Sequence, residues 1–265
     1  MPASPMNFAK MAAEAATTSE DAALGGRLVL RQPVRGHRFG HDAILLAAAT
    51  AAHGGGHVVD LGAGVGAAGL ALACRIENLT VTLVDIDPAL TALAAENAER
   101  NRLSPWVRAV CLDVAASAAA FTAAGLAPAS ADHILMNPPF NVRQSPSPDG
   151  SRRTAHAASQ DTLPLWLRAA SRLLRAHGTL TLIWRADGLA EMLAALTPDF
   201  GGVALLPIHP KRGAAAIRVI AGAVKASRAP LELLPGFFLA DAQGMPSDEA
   251  EAVLRGGESL ALTAE

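Results

Sequence analysis

A chain of 265 residues with 51% hydrophobic residues and a mean hydropathy of +0.28 can bury the core of one large domain with small additions. It has no apolar run near the roughly 18 residues of a membrane helix, no basic-then-apolar secretory start, and only Cys74 and Cys111, too few for a disulfide framework. The net charge of −2 is uneven, with 20 Lys/Arg against 15 Asp/Glu over residues 27–239 and one against six over 240–265, which leaves an anionic partner open for the central region without demanding one.

Residues 1–22, rich in Ala, Ser, Thr and Glu, read as a mobile leader. Residues 24–34 alternate apolar and polar side chains, as a short strand ended by Pro33 does. A loop, RGHRFGHD at 35–42, leads to an apolar helix at about 43–52, with Asp42 the better candidate for its cap. From there strands and helices alternate. Strands are expected at 58–61, 80–86, 107–112, 131–136 and 179–184, and helices at 65–75, 88–103, 117–124 and 162–176. Asp87-Pro88 supplies a cap followed by proline at the first helical position, and Gly178 is expected to close the 162–176 helix. After a helix at 189–196, two strands at 203–208 and 216–224 follow with no helix between them.

This alternation predicts an α/β fold, a seven-stranded, mostly parallel sheet covered by helices on both faces, with an antiparallel excursion at one edge. The layout is an N-terminal strand, loop and helix (23–53), a core (54–228) and a C-terminal extension (229–265). Residues 141–158 form a long Pro-, Ser-, Gly- and Arg-rich loop, a length that usually carries function. Both cysteines fall in expected elements, so two buried thiols in a cytoplasmic protein are the expectation.

Two stretches carry chemistry. After strand 58–61, Gly62-Ala63-Gly64-Val65-Gly66-Ala67 forms a glycine turn into a helix, where a ligand can approach backbone N–H groups. Asp85 follows Gly66 by 19 residues, about where an acid binds a ribose. These features fit a nicotinamide dinucleotide as well as another adenosyl cofactor. Asp60, two residues before Gly62, tilts the balance, because a carboxylate in that strand end opposes a pyrophosphate and favours a cationic ligand.

The second stretch is Asn137-Pro138-Pro139-Phe140, at the end of the apolar run Ile134-Leu135-Met136. Proline cannot continue a ladder, so the strand stops and presents an amide and a ring at its carboxyl end, the ligand edge of an open α/β sheet. An exocyclic or amide nitrogen is a poor nucleophile with a delocalised lone pair. The Asn137 side-chain oxygen and the Pro138 carbonyl can accept its two N–H bonds and aim it at a methyl donor. Phe140 offers a face for an unstacked base.

In these motifs the chain resembles the class I S-adenosylmethionine-dependent methyltransferases of the N6-adenine type. Arg38-Phe39-Gly40-His41-Asp42-Ala43, MNPPF at 136–140 and HPKRG…IRV at 209–219 make it most similar to the bacterial tRNA1(Val) (adenine-37-N6)-methyltransferases. The resemblance spans roughly residues 24–235. It implies S-adenosyl-L-methionine as cofactor, S-adenosyl-L-homocysteine as product and tRNA as substrate. It places Asp60, Gly62, Gly64 and Gly66 along the methionine part, Asp85 at the ribose hydroxyls and Asp113 at the adenine amino group, with Ala63, Ile86 and Val114 also against the cofactor. Phe39, Gly40 and Asp42 close over the methionyl end. Asn137, also beside the cofactor, holds the target base with Pro138, Pro139 and Phe140. Many adenine-specific members carry Tyr in place of Phe140. NPPF also occurs in guanine-N2 rRNA methyltransferases, and NPPY in enzymes that methylate protein glutamine, so the tetrapeptide leaves the acceptor open among these.

Arg143, Arg152 and Arg153 in the long loop, with Lys211-Arg212, are candidates for RNA phosphate contacts. His37, His41, His53 and His57 lack a cysteine at metal spacing, and no metal is expected. Neither is a membrane partner, and a monomer or weak dimer is expected.

Overall fold

The structure, a computed structural model, describes residues 18–35, 38–139 and 162–262. It opens with a hairpin of β1 (Thr18–Ala23) and β2 (Leu28–Pro33), joined by one 3-10 turn. Residues 18–22 therefore belong to a strand, where a leader is expected from composition. The hairpin is tied down by α3 (Pro88–Arg100) and the residue after it. The Arg31 and Val29 amides donate to Asn97 Oδ1 and Asn101 Oδ1 at 2.7 and 2.9 Å, and the two side-chain amides donate back to the carbonyls of Arg31 and Val29 at 2.9 and 2.8 Å. Two asparagines four residues apart thus complete the hydrogen bonding of alternate residues along β2, which would otherwise be an unpaired edge.

The remaining elements follow in order as α1 (His41–Ala49), β3 (His57–Leu61), α2 (Ala67–Arg75), β4 (Thr80–Asp85), α3, β5 (Val107–Cys111), α4 (Ala118–Ala123) and β6 (Ala131–Met136). Then come α5 (Thr162–Leu173), β7 (Leu174–Arg185), α6 (Leu189–Leu196), β8 (Phe200–His209), β9 (Arg218–Lys225), two-residue strands β10 (Glu232–Leu233) and β11 (Phe237–Phe238), and α7 (Asp248–Glu251). Asp87 caps α3, its Oδ1 accepting from Ala89 N at 2.8 Å, and Ser117 caps α4 in the same way through Ala120 N.

The main sheet runs β10-β8-β9-β7-β6-β3-β4-β5, with β11 also on β8. Seven long strands make its body, and all pair in parallel except β9, which is antiparallel to both β7 and β8. The antiparallel excursion accordingly sits one place in from the end of the long strands, because β8 folds back beyond β9. Val58 of β3 packs into the core under α1 and α2, whereas Val59 and Leu61 pack into the core under α5 and α6. That period-two split is what a strand covered on both faces requires.

Three local expectations change. Gly178 does not cap α5, because Leu174 pairs with Ala131 and draws the chain into β7 as soon as the helix ends; pairing then jumps to His133–Thr179, so residues 175–178 bulge out within the strand. Asp42 does not cap α1: the cap position is Gly40, and the Asp42 side chain is held by an ion pair with Arg218. Cys111, at the last position of edge strand β5, is exposed, and Cys74 is half-buried, so neither is a core thiol.

Candidate active site

Four neighbouring parallel strands end side by side. In sheet order β6, β3, β4, β5, their carboxyl ends carry Asn137, Asp60, Asp85 and Asp113 along the floor of a cavity of about 800 Å³. The chain leaves β3 for β4 on one side and later returns to place β6 on the other, which makes this the crevice where open α/β sheets bind ligands. Among the residues singled out from the sequence, Phe39, Gly40, Asp42, Gly62, Ala63, Gly64, Ile86, Val114, Pro138 and Pro139 also line it.

The glycine loop turns because three of its residues take left-handed backbone. Gly62 and Ala63 donate to the Val84 carbonyl at 2.8 and 2.9 Å, and Gly64 N donates to Asp85 Oδ2 at 2.7 Å. The Asp85 carboxylate thus fastens the loop to the end of β4, while its Oδ1 accepts from Asp87 N at 2.9 Å. Gly66 does not line the cavity. It caps α2 at φ +87° with its α-carbon turned to the core, where a Cβ would lie 2.9 Å from Leu83 Cδ1. Its role is to start the helix in a crowded place.

Asp60 is 2% exposed, and its Oδ2 accepts one backbone bond, from Gly69 N at 2.9 Å. Burial, with a smaller push from the negative charge of Asp85, raises its carboxyl to about 8 against the pull of that bond. At neutral pH Asp60 therefore keeps its proton in the ligand-free protein, and a cation entering beside it would displace that proton. Asp113 forms a turn of its own, Oδ1 accepting from Ala115 N at 2.8 Å, and Ile86, 63% exposed, offers a bare apolar face at the same rim.

The acceptor side is Asn137-Pro138-Pro139. Asn137 Oδ1 is buried and has no hydrogen-bond partner among the described residues. A buried amide oxygen without a donor costs free energy and is uncommon unless a ligand supplies the donor. Phe140, Arg143, Arg152 and Arg153 lie outside the described residues. Lys211 and Arg212 do not line the cavity.

A hydrogen-bonded frame holds the cover of the cavity. Phe39 N donates to Gln32 Oε1 at 3.0 Å, Gln32 Nε2 donates to Asp21 Oδ2 at 2.8 Å, and Arg38 Nη2 donates to the same oxygen at 2.8 Å. The Gln32 bond is the largest cause holding the Asp21 carboxyl below its usual range, with Ser19 and Arg38 adding to it. Gln32 is 2% exposed. Its role was invisible in the sequence, where it is one polar residue of an alternating strand. Trp166 and Arg218 also line the cavity unanticipated. Trp166 lies over Gly62, where a side chain would collide with its ring, and Arg218 Nε donates to Asp42 Oδ2 at 2.9 Å.

A mostly parallel seven-strand body with an antiparallel strand between its last two members, a glycine turn after the first core strand and acids at the next two strand ends define the class I methyltransferase fold. The chain belongs to the methyltransferase small domain family, which matches residues 39–209. Among curated relatives, it is 30% identical over 153 residues to a tRNA1(Val) (adenine(37)-N6)-methyltransferase of Bacteroides fragilis, covering 57% of this chain and 61% of that protein. It is 31% identical over 161 residues to the enzyme of the same name from Porphyromonas gingivalis, covering 58% and 61%. The match spans about three-fifths of the length of these relatives. Among solved structures, a predicted O-methyltransferase from Agrobacterium tumefaciens is similar over 83% of this chain and 98% of its own, with a TM-score of 0.71 and 29% identity. TrmN from Thermus thermophilus shares the fold at a TM-score of 0.50 and 23% identity, covering 69% of this chain and 47% of its own.

Proposed function

We propose that the protein transfers a methyl group from S-adenosyl-L-methionine to the N6 amino group of an adenine in tRNA, leaving S-adenosyl-L-homocysteine. The observation that carries this reading is the buried, unpartnered Asn137 Oδ1 beside Pro138 in a cavity floored by carboxylates. That oxygen asks for a donor, and an amino group supplies two. The names of the curated relatives point to tRNA and to position 37 as the site of the adenine.

The residues present fit the cofactor. Asp60 suits a ligand with an α-ammonium, which its carboxylate can meet, whereas a dinucleotide's pyrophosphate offers that carboxyl no positive charge. Asp85 suits ribose hydroxyls and Asp113 an adenine amino group, with Ile86 and Val114 as apolar walls. Bound S-adenosyl-L-methionine supplies a methyl group on a sulfonium for in-line displacement. The chain's own part is positioning. Asn137 Oδ1 and the Pro138 carbonyl accept the two amino hydrogens and turn the nitrogen lone pair towards the donor pocket. The proton displaced from the nitrogen as the new N–C bond forms passes to water, because a methylated adenine amino group is acidic in its cationic state. Phe140 is the surface proposed for stacking the base.

The test is a methyl-transfer assay with labelled cofactor and tRNA, followed by nucleoside analysis. N6-methyladenosine is expected, and Asn137→Ala should remove activity while calorimetry shows S-adenosylhomocysteine binding within a few-fold of wild type. Activity that survives Asn137→Ala overturns the proposed role of the tetrapeptide. Label in N2-methylguanosine or in protein overturns the proposed acceptor.

A further inference from the structure

The carboxyl edge of the sheet continues beyond the cavity. Since β9 is antiparallel to both β7 and β8, β8 runs parallel to β7 and β6, and its last residue, His209, emerges on the same edge as Asn137. Three strand spacings separate β6 from β8, roughly 14 Å at about 4.8 Å each. Along the way Ile208 pairs with Arg218, the residue that reaches back into the cavity to Asp42.

At this end Phe238 of β11 stacks on His209 with ring centroids 4.8 Å apart and planes 25° from parallel, and the Arg212 guanidinium lies 4.9 Å from the Phe238 centroid. The turn that carries Lys211 and Arg212 is fastened by its backbone: Arg212 N donates to Ala240 O at 3.0 Å, Ala214 N to Lys211 O at 3.1 Å, and Ala214 O is bonded by His209 Nδ1 at 2.7 Å. Both basic residues are exposed, and neither is in an ion pair among the described residues. The Asp241 carboxylate, next to Ala240, has its Oδ1 taken by the amides of Gln243 and Met245. A solvated loop needs no such fixation. Two uncompensated cations on a rigid turn, one laid on an aromatic face, form a binding surface whose ordering is complete before a ligand arrives.

We propose that the Lys211-Arg212 turn, seated on the Phe238–His209 stack, anchors phosphates of the RNA strand that flanks the target base. The partner is a polyanion, and the central region's excess of base over acid agrees with one. A flexible strand whose base occupies the Asn137 end of the crevice would run a few nucleotides further to reach the turn. This inference rests on the reading that the acceptor is RNA.

The experiment uses the full chain, tRNA, and the Lys211→Ala/Arg212→Ala double variant beside Arg212→Lys. Binding is followed by fluorescence anisotropy over a range of salt concentrations, with S-adenosylhomocysteine calorimetry and thermal denaturation as controls. The double variant should bind tRNA at least tenfold more weakly. Its slope of log affinity against log salt should be smaller by about 1.5, since each phosphate that a cation no longer neutralises removes ~0.7–0.9 from the slope. KM for tRNA should rise while kcat and cofactor affinity hold. Arg212→Lys, which keeps the charge and loses the planar fork, should fall between. If wild type methylates tRNA and the double variant binds it with unchanged affinity and salt slope, the anchor is overturned and the RNA reading stands. If wild type methylates protein or another acceptor and no RNA, both fall.

Discussion

Proton linkage at Asp60 gives the most direct test of the donor pocket. With its carboxyl at about 8 in the ligand-free protein, the fraction ionised at pH 7 is about one in eleven and at pH 6 about one in a hundred. A ligand that binds through an α-ammonium needs the ionised form, so its affinity should rise about tenfold per unit up to pH ~8. The α-ammonium of a free amino acid keeps its proton to higher pH than a chain terminus, which titrates at about 7.7–8.0, so affinity levels off above pH ~8 and falls only once the ligand itself loses its charge. The expected profile for S-adenosylhomocysteine is an acid limb that flattens close to pH ~8, and calorimetry at pH 7 in buffers of different ionisation enthalpy should find close to one proton released. Two controls isolate the cause. 5′-Methylthioadenosine has no ammonium and should show no acid limb, and Asp60→Asn should flatten that limb for S-adenosylhomocysteine. An affinity that stays level from pH 6 to 8 in the wild type would refute the placement of a cation beside Asp60. The ligand-free protein should show the matching stability effect. Because the folded state holds this proton more tightly than the unfolded chain, whose carboxyl lies near 3.8, the group favours folding most below pH ~4, and that contribution is lost as pH rises towards 8. Asp60→Asn should remove this dependence.

Gln32→Leu leaves the half-buried Asp21 carboxylate and Phe39 amide short of a partner, and should cost roughly 1 kcal/mol in denaturant unfolding and weaken cofactor binding. Gly66→Ala puts a Cβ against Leu83 and Leu70 at φ +87°, and a destabilisation of about 1–3 kcal/mol is expected by thermal denaturation. Phe121 is 1% exposed with the Arg172 guanidinium 4.7 Å from its centroid, so Phe121→Ala should cost about 3–5 kcal/mol, read by the same method.

Much of the core could be read from the sequence because its signals are local. Val58 and Val59, or Val81 to Val84, announce buried strands by apolar and β-branched runs, and Asp87-Pro88 announces a helix start by its own chemistry. The misreadings lie where distant residues decide. Leu174 enters β7 because Ala131 is there to pair with it, and Gly178 is left inside a bulge. Asp42 is drawn from its helix terminus by Arg218, 176 residues further on. Residues 18–22 look like a polar leader and are a strand because β2 is tied to Asn97 and Asn101. Gly66 shows the opposite limit: the motif marks it correctly as indispensable to the turn, but only packing against Leu83 reveals that it faces the core.

The same contrast separates the two cofactors that the glycine loop alone admits. A dinucleotide reading uses Gly62, Gly64, Gly66 and Asp85 and has no use for Asp60, which it leaves as a buried carboxyl with no cation to meet. The structure shows Asp60 accepting a single backbone bond, with its carboxyl pushed up to about 8. Such a group is costly unless something cationic is to meet it. At the next strand end Asn137 Oδ1 has the complementary deficiency, an acceptor lacking a donor among the described residues. One ligand carrying a cation and a second carrying an amino group satisfy both, and adjacent strands β3 and β6 place the two demands next to each other. The pairing of an unmet carboxylate with an unmet amide oxygen, more than the glycine pattern, is what makes this crevice suited to methyl transfer onto nitrogen.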